Sequence, residues 1–237
     1  MNQTLILNLA RRRLTSVPRL VLLGLPVFTV LPAAGYNHSL EPIMPLASYL
    51  GVVFAAGAIG QDVSAGTLQL LLARPVTRPE YVVNRWLGAS LLATAWQTMM
   101  LLFGVLVLLS GHHDVDAVAL LRAIGEGAGR AFGAAAVVVM FSSLVGGLAD
   151  IGLLIGIAAA TQFGTMASQF AGWSYVGIAL QKIQESLMPE LPLGWIGQGE
   201  RPPWETLATW GFVVALALFV AIVRMNRKEL SYAGTSS

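Results

Sequence analysis

Few side chains in this chain could do covalent chemistry. None of its 237 residues is cysteine, which removes disulfides, thiolate metal sites and cysteine nucleophiles. The H-E-x-x-H and G-x-S-x-G patterns are both absent. A phosphate-cradling loop needs G-x-x-x-x-G-K-[ST], and neither lysine, Lys182 or Lys228, follows a glycine. His112-His113-Asp114-Val115-Asp116 offers metal-capable side chains. It is a short turn with no second ligand cluster elsewhere, so it reads as a solvated loop, and no metal is expected. What remains is docking chemistry, concentrated between Asp62 and Arg85.

That segment reads as a short amphipathic helix, a proline break and a newly capped second helix. Gly66-Thr67-Leu68 opens the first piece, and Leu68, Leu71 and Leu72 at i, i+3 and i+4 share one face. Pro75 ends it, because proline lacks a backbone donor and drives Arg74 out of helical geometry. Thr77-Arg78-Pro79-Glu80 then has the form of a capping box, with Thr77 as cap. A stiff elbow of this kind is useful where something docks on it. An interfacial helix that only buries its leucines among headgroups is the plainer reading.

The elements that position the elbow are membrane spans. The chain is 56% hydrophobic and 11% charged, against roughly 25% charged in a soluble domain. It cannot cover a soluble surface, and its apolar runs are long enough to span. Helices are expected, since backbone polar groups in lipid must be bonded within their own segment, and the alternating strands of a barrel are absent. The whole chain, 1–237, reads as one transmembrane domain. Six spans are predicted: about Val17–Ala34, Pro45–Gly60, Trp86–Ser110, Ala131–Leu148, Ile151–Ala171 and Leu207–Val223. The first follows Arg11-Arg12-Arg13 and contains Pro18, Pro26 and Pro32. No A-x-A site follows it, so it is expected to stay as an anchor rather than be cleaved as a signal peptide. The fourth and fifth must turn near Gly146-Gly147-Leu148-Ala149-Asp150, because one helix from 131 to 171 would be about 60 Å long.

Basic residues set the orientation. Arg11, Arg12, Arg13, Arg19, Arg74, Arg78, Arg85, Arg224, Arg227 and Lys228 collect on one side; Arg122, Arg130, Lys182 and Arg201 lie on the other. The larger set marks the cytoplasm, so both termini are expected there. The helix from the Thr77 cap to Ser110 would be about 50 Å long, against a hydrocarbon core of about 30 Å. Its first turns therefore stand below the membrane and carry the elbow on a stiff rod.

Two segments fall outside the span pattern. Residues 1–16 carry an apolar stripe of Leu5, Ile6 and Leu9 ahead of the arginines, which suits an amphipathic helix on the membrane surface. Residues 172–206 carry Trp173, Tyr175, Trp195 and Trp204, side chains that favour the membrane interface. Ser174 is predicted to cap a short helix whose Val176, Ala179, Ile183 and Leu187 share a face, ended by Pro189 and Pro192. That helix either dips into the outer leaflet or packs over the spans.

Other polar residues admit two readings each. Gln97, Thr161, Gln162 and Gln169 within spans either line a path or join helices. Arg122, Glu126 and Arg130, at i, i+4 and i+8, either contact a charged substrate or form an ion-pair ladder along one face, the reading preferred here. Asp150 either touches a partner or, preferably, caps the fifth span.

Taken together, Gly66-Thr67-Leu68, Leu71-Leu72, Pro75-Val76-Thr77-Arg78 and the basic Arg85 one turn into the next helix resemble the membrane subunit of type-2 ABC exporters. Asn84-Arg85 stands where that family usually has Gly-Lys, and the nearest acid before the Gly-Thr-Leu is Asp62. The basic run from Arg227 to Gly234 resembles the tail that follows the sixth span in that family. The resemblance implies an all-α membrane protein: six transmembrane helices, an N-terminal amphipathic helix, a cytoplasmic coupling helix between spans 2 and 3 (62–85), and a short extracytoplasmic helix between spans 5 and 6. It implies that two permease subunits, identical copies in the simplest case, form the path in a prokaryotic inner membrane. It further implies that a separate P-loop ATPase binds ATP and Mg, since this chain holds no cofactor and is not itself catalytic. Asp62, Thr67, Leu68, Leu71, Leu72, Arg74, Arg78 and Arg85 would form the coupling surface. No nucleic-acid partner is expected; lipid is. The alternative is an ion-coupled carrier or channel acting without an ATPase. Such proteins tend to bury ionisable groups at midplane, whereas the charged residues here fall at or near predicted span ends.

Overall fold

The computed structural model describes residues 17–64, 77–147, 149–170, 172–196 and 201–227. The described residues form helices joined by turns and loops, with no strand among them. In chain order the helices are α1 (Val17–Asn37), a 3-10 turn (Glu41–Ile43), α2 (Leu46–Ala55), α3 (Gly60–Ser64), α4 (Arg78–Ser110), α5 (Ala117–Leu144), α6 (Ala149–Phe170), α7 (Ser174–Leu187) and α8 (Trp204–Arg227). Among them five segments are long and apolar enough to cross a membrane: Glu41–Ser64, Arg78–Ser110, Ala117–Leu144, Ala149–Ser168 and Trp204–Arg227. The first predicted span corresponds to α1, a helix of 21 residues with Pro26 and Pro32 inside it, which is not one of the five. The amphipathic segment 1–16 lies outside the described residues.

α5 is the central helix, packed against α2, α4 and α8. Close approach explains its composition. A Cβ on Gly51 of α2 would stand 2.8 Å from the carbonyl oxygen of Ala131, so only hydrogen fits where α2 crosses α5. α5 also begins earlier than its apolar part suggests. Asp116 accepts from the N–H groups of Val118 and Ala119 and starts the helix at Ala117.

The second segment is not one rod. α2 ends at Ala55, the chain turns through Ala56–Ile59 with Gly57 at φ +63°, and α3 resumes at Gly60. This break sits against the turn between α5 and α6, near the predicted Gly146-Gly147 position. Gly147, at φ +67°, donates its N–H to the carbonyl of Gly60 at 3.0 Å. A Cβ on Gly60 would stand 2.7 Å from the Gly147 carbonyl oxygen, so the two turns interlock only because glycine is present.

The loop after α7 does not lie free. Gly125, Gly129 and Gly133 form a stripe at i, i+4, i+8 on α5, and Leu193, Leu191 and Pro189 cover them in that order. Glu126 accepts the Leu193 N–H at 2.9 Å, and Arg130 donates to Glu190 at 3.2 Å. The predicted Arg122–Glu126–Arg130 ladder is therefore not formed; Glu126 and Arg130 hold the loop instead. Isolated i,i+4 ion pairs contribute only a few tenths of a kcal/mol, and a backbone donor together with a carboxylate from a loop distant in sequence outcompetes them. A Cβ at Gly125 would meet only the Cδ1 of Leu193, at 2.7 Å, the free end of a flexible side chain, whereas at Gly129 it would meet the Cβ of Leu191. Gly129→Ala is therefore expected to cost about 1–3 kcal/mol and Gly125→Ala clearly less. Thermal unfolding of the two purified variants checks that order.

α7 corrects a second expectation. Its cap position is Trp173, without a side-chain cap bond, and Ser174 is the first helical residue. The face against α6 is not the predicted one. Leu180 meets Gly164, and Gly177 meets the Oγ of Ser168, while Val176, Ala179 and Ile183 are exposed. Of the predicted face only Leu187 is buried. The small residues Gly164 and Gly177 decided the face, because a shared glycine contact lets two helices approach more closely than a row of branched side chains.

Candidate functional site at the foot of the elbow

The residues that flank the elbow converge. Thr77 caps α4, its hydroxyl oxygen accepting from the Glu80 N–H at 3.4 Å, and α4 then runs 33 residues without a break to Ser110. Tyr81 and Arg85 are one turn apart on α4 and face the short helix α3 that precedes the elbow. There the Tyr81 hydroxyl donates to Asp62 Oδ2 at 2.6 Å, and the Arg85 guanidinium donates to the same oxygen in a close ion pair. The guanidinium carbon lies 5.1 Å from the centre of the Tyr81 ring, a cation–π arrangement. All three side chains are buried. A buried charge is tolerated when paired and hydrogen-bonded, and here each partner supplies what the other needs.

The same end of α4 is tied to the last helix. The Arg78 guanidinium donates to the carbonyl oxygens of Met225 and Asn226, at 3.0 Å and 2.8 Å. Those carbonyls belong to the last turn of α8 as it runs to Arg227, where a cation is favoured by the helix dipole. The segment between Ser64 and Thr77 is thus bracketed by α3 on one side and by α4 and α8 on the other.

Immediately behind α3 lies the break in the second segment, and its backbone donors are supplied with acceptors from two other helices. Ser142 Oγ accepts from the N–H groups of Ile59 and Gly60, at 3.0 Å and 2.9 Å. Asp150 Oδ2 accepts from the Gly57 N–H at 2.6 Å, and its Oδ1 accepts from the Ile151 N–H at 2.9 Å. Asp150 lies inside the first turn of α6 and is fully buried. It does not hold the expected cap position, since α6 starts one residue earlier at Ala149; its carboxylate bonds within the first turn and fastens the break.

Of the predicted coupling residues, Asp62 and Arg85 pair with each other and Arg78 binds the end of α8; Thr67, Leu68, Leu71, Leu72 and Arg74 lie outside the described residues. The polar residues within spans scatter. Gln97 is buried and donates to the Ile43 carbonyl at 3.0 Å. The Thr161 hydroxyl bonds back to the carbonyls of Ile157 and Ala158. Gln162 lines a cavity between α6, α7 and α8 with a volume of about 910 Å³. Gln169 belongs to α6, and its side chain lies outside the described residues. Among the described residues no group of three or more His, Asp or Glu side chains is placed to hold a metal ion. His113 stacks on His38 with ring centres 4.1 Å apart.

Sequence reasoning missed Tyr81 and Ser142. Tyr81 could have been found, since it sits four residues before Arg85 and shares its face. Ser142 carried no local signal, because the backbone it serves is more than eighty residues away in the chain.

A multi-pass helical membrane protein whose inter-span loop is anchored at both ends by buried polar contacts is the class these features define. The family model described as "ABC-2 family transporter protein" matches residues 13–189, most of the chain. The chain belongs to that family: it is an ABC transporter permease, the membrane component and not itself the catalytic one. No curated protein and no solved structure matches it.

Proposed function

We propose that this permease is a subunit of an exporter, that it forms the translocation path as a dimer, and that a separate P-loop ATPase drives it through the 62–85 elbow. The observation that carries this reading is the bracket around the elbow. A load applied to a flexible loop is lost in the loop, whereas the Asp62–Tyr81–Arg85 cluster and the Arg78 contact join both ends of this one to α3, α4 and α8. Leu68, Leu71 and Leu72 would enter a groove of the ATPase, with Thr67, Arg74 and Arg78 at its rim. ATP and Mg are bound by that partner. Dimer formation is supported by α6 and α8, which leave most of their surface uncovered by this chain. Both termini are cytoplasmic on this reading, α1 supplies the sixth span, and the setting is a prokaryotic inner membrane, as the basic residues argue.

Purification in mild detergent from native membranes is expected to bring down an ATPase with vanadate-sensitive hydrolysis. Leu71→Asp or Leu72→Asp should abolish that co-purification and transport-coupled hydrolysis while the subunit stays in the membrane. A subunit that purifies alone, or two variants that retain the ATPase unchanged, would overturn the reading.

A further inference from the structure

The stretch from Gly57 to Asp62 is held by three different helices. Gly57 donates to Asp150 on α6, Ile59 and Gly60 donate to Ser142 on α5, and Asp62 binds Tyr81 and Arg85 on α4. An unbroken helix would bond its N–H groups to its own carbonyls and could not grip its neighbours through them. The break is therefore a joint, and the order of its attachments matters. The chain enters the elbow after Asp62. Read back from there, the contacts with α5 come first and the contact with α6 second. The central helix α5 is hemmed in by α2, α4 and α8, so the Ser142 contacts are the fixed point. Gly57 lies on the far side of that point from the elbow.

α6 itself is lightly held. It packs chiefly against α7 and at fewer points against α5. Between residues 149 and 160 only Asp150 and Leu154 are buried. A Cβ on Gly152 or Gly156 would meet nothing within 4 Å. Leu154 makes apolar contact, which has no direction and lets one helix slide on another. The Asp150 carboxylate is different. Its Oδ2 takes the Gly57 N–H at 2.6 Å while its Oδ1 takes the Ile151 N–H at 2.9 Å. Hydrogen bonds weaken steeply when bent, so Asp150 fixes the foot of α6 to the break where Leu154 cannot.

We infer that Asp150 is a positioning residue for transport. It ties α6 to the joint behind the elbow, so that displacement of α3 about the Ser142 contacts passes through Gly57 to α6 and onward to α7. The inference rests on the reading of the elbow as the place where the ATPase applies its load. It adds a second route to that reading. α4 carries load up its own length, and Asp150 diverts part of it sideways into the pair formed by α6 and α7.

Distances between spin labels test it, and the absence of native cysteine lets two labels be placed cleanly. Leu121 on α5 and Ile155 on α6 are both exposed, and Leu121→Cys with Ile155→Cys supplies the attachment points. The labelled chain is co-expressed with unlabelled chain in excess, so that one pair is read per assembly. In the purified full chain without ATPase, the parent is expected to give a narrow distance distribution and Asp150→Asn a broad one. Asparagine offers one acceptor oxygen in place of two and sets its amide against a donor. Asp150→Ser keeps an acceptor for the Ile151 N–H but is too short for Gly57. It should broaden the distribution likewise, and it covers the case in which the asparagine variant does not fold. In the complex with the co-purified ATPase, ATP with vanadate should shift the parental distance, and both variants should lose that shift while the ATPase stays bound. A role confined to stability would lower the thermal midpoint and leave the shift intact in the folded fraction. That result, or equal distributions in parent and variants without ATPase, would overturn the inference. Failure of the ATPase to co-purify would overturn the coupling reading and the transmission with it. The distributions of the isolated chain need no ATPase, so they keep the two failures apart.

Discussion

Asp62→Ala is expected to destabilise the subunit by about 3–5 kcal/mol, the cost of leaving one member of a buried ion pair uncompensated. The side chains of Arg85 and Asp62 are only 10% and 9% exposed, so water cannot take over the lost role. The Tyr81 hydroxyl loses its acceptor as well. The expected readout is a large fall in the thermal midpoint of the purified subunit, followed by the fluorescence of its six tryptophans. The double variant Asp62→Leu with Arg85→Met removes the charge problem and should recover much of that fall, because a buried pair can be replaced by apolar side chains of similar size at little cost. It should not recover ATPase coupling if the cluster transmits load from the elbow. A single variant that unfolds at the parental temperature would show that the pair holds nothing.

The second large effect is at Ser142. Ser142→Ala leaves two backbone N–H groups, those of Ile59 and Gly60, without their acceptor in a buried position. Each orphaned donor costs about 1–3 kcal/mol, so a loss of about 2–6 kcal/mol is expected, more than the deletion of one hydroxyl ordinarily brings. Ser142→Thr keeps the oxygen and should restore most of the loss. Amide exchange localises the effect: protection should fall at 57–60 and at the Gly147 N–H, which donates to Gly60, while the amides of α4 keep theirs. Uniform loss of protection along the chain would contradict a local role.

These two sites differ in how far they could be read in the sequence. The Thr77 cap, the length of α4 and the turn at Gly146-Gly147 were legible, because each depends on residues close together in the chain or on the fixed thickness of a membrane. Asp62 and Arg85 were legible as charges that flank the elbow, but not as partners of each other. The break at Ala56–Ile59 was not legible. Ala55-Ala56-Gly57-Ala58-Ile59-Gly60 holds no proline and no polar residue, so it reads as an uninterrupted apolar run. What stabilises the break is the side chain of Ser142 and that of Asp150, the latter 93 residues away, and distance of that order leaves no trace in local pattern. The turns of α5 ahead of its span were legible as helix from the i, i+4, i+8 spacing of Arg122, Glu126 and Arg130, but its start at the Asp116 cap was not. Its first turns carry Arg122, Glu126 and Arg130 among glycines, which is poor span composition but is suited to gripping a neighbouring loop.

The glycine stripe of α5 and the loop upon it have a further consequence, which concerns tolerance to insertion and deletion. Four helical residues rise about 6.0 Å, and two residues of extended chain rise about 6.6 Å. Gly125, Gly129 and Gly133 therefore match Leu193, Leu191 and Pro189 as two graduated scales laid side by side, running in opposite directions. Over the three contacts the scales drift apart by only about 1.2 Å. One residue added or removed between Pro189 and Leu193 would shift every mark by half a division and set the intervening side chains against the glycines. The loop between α7 and α8 can then vary in length only outside 189–193, so that within a loop of this kind five residues are held to a fixed count by the helix beneath them.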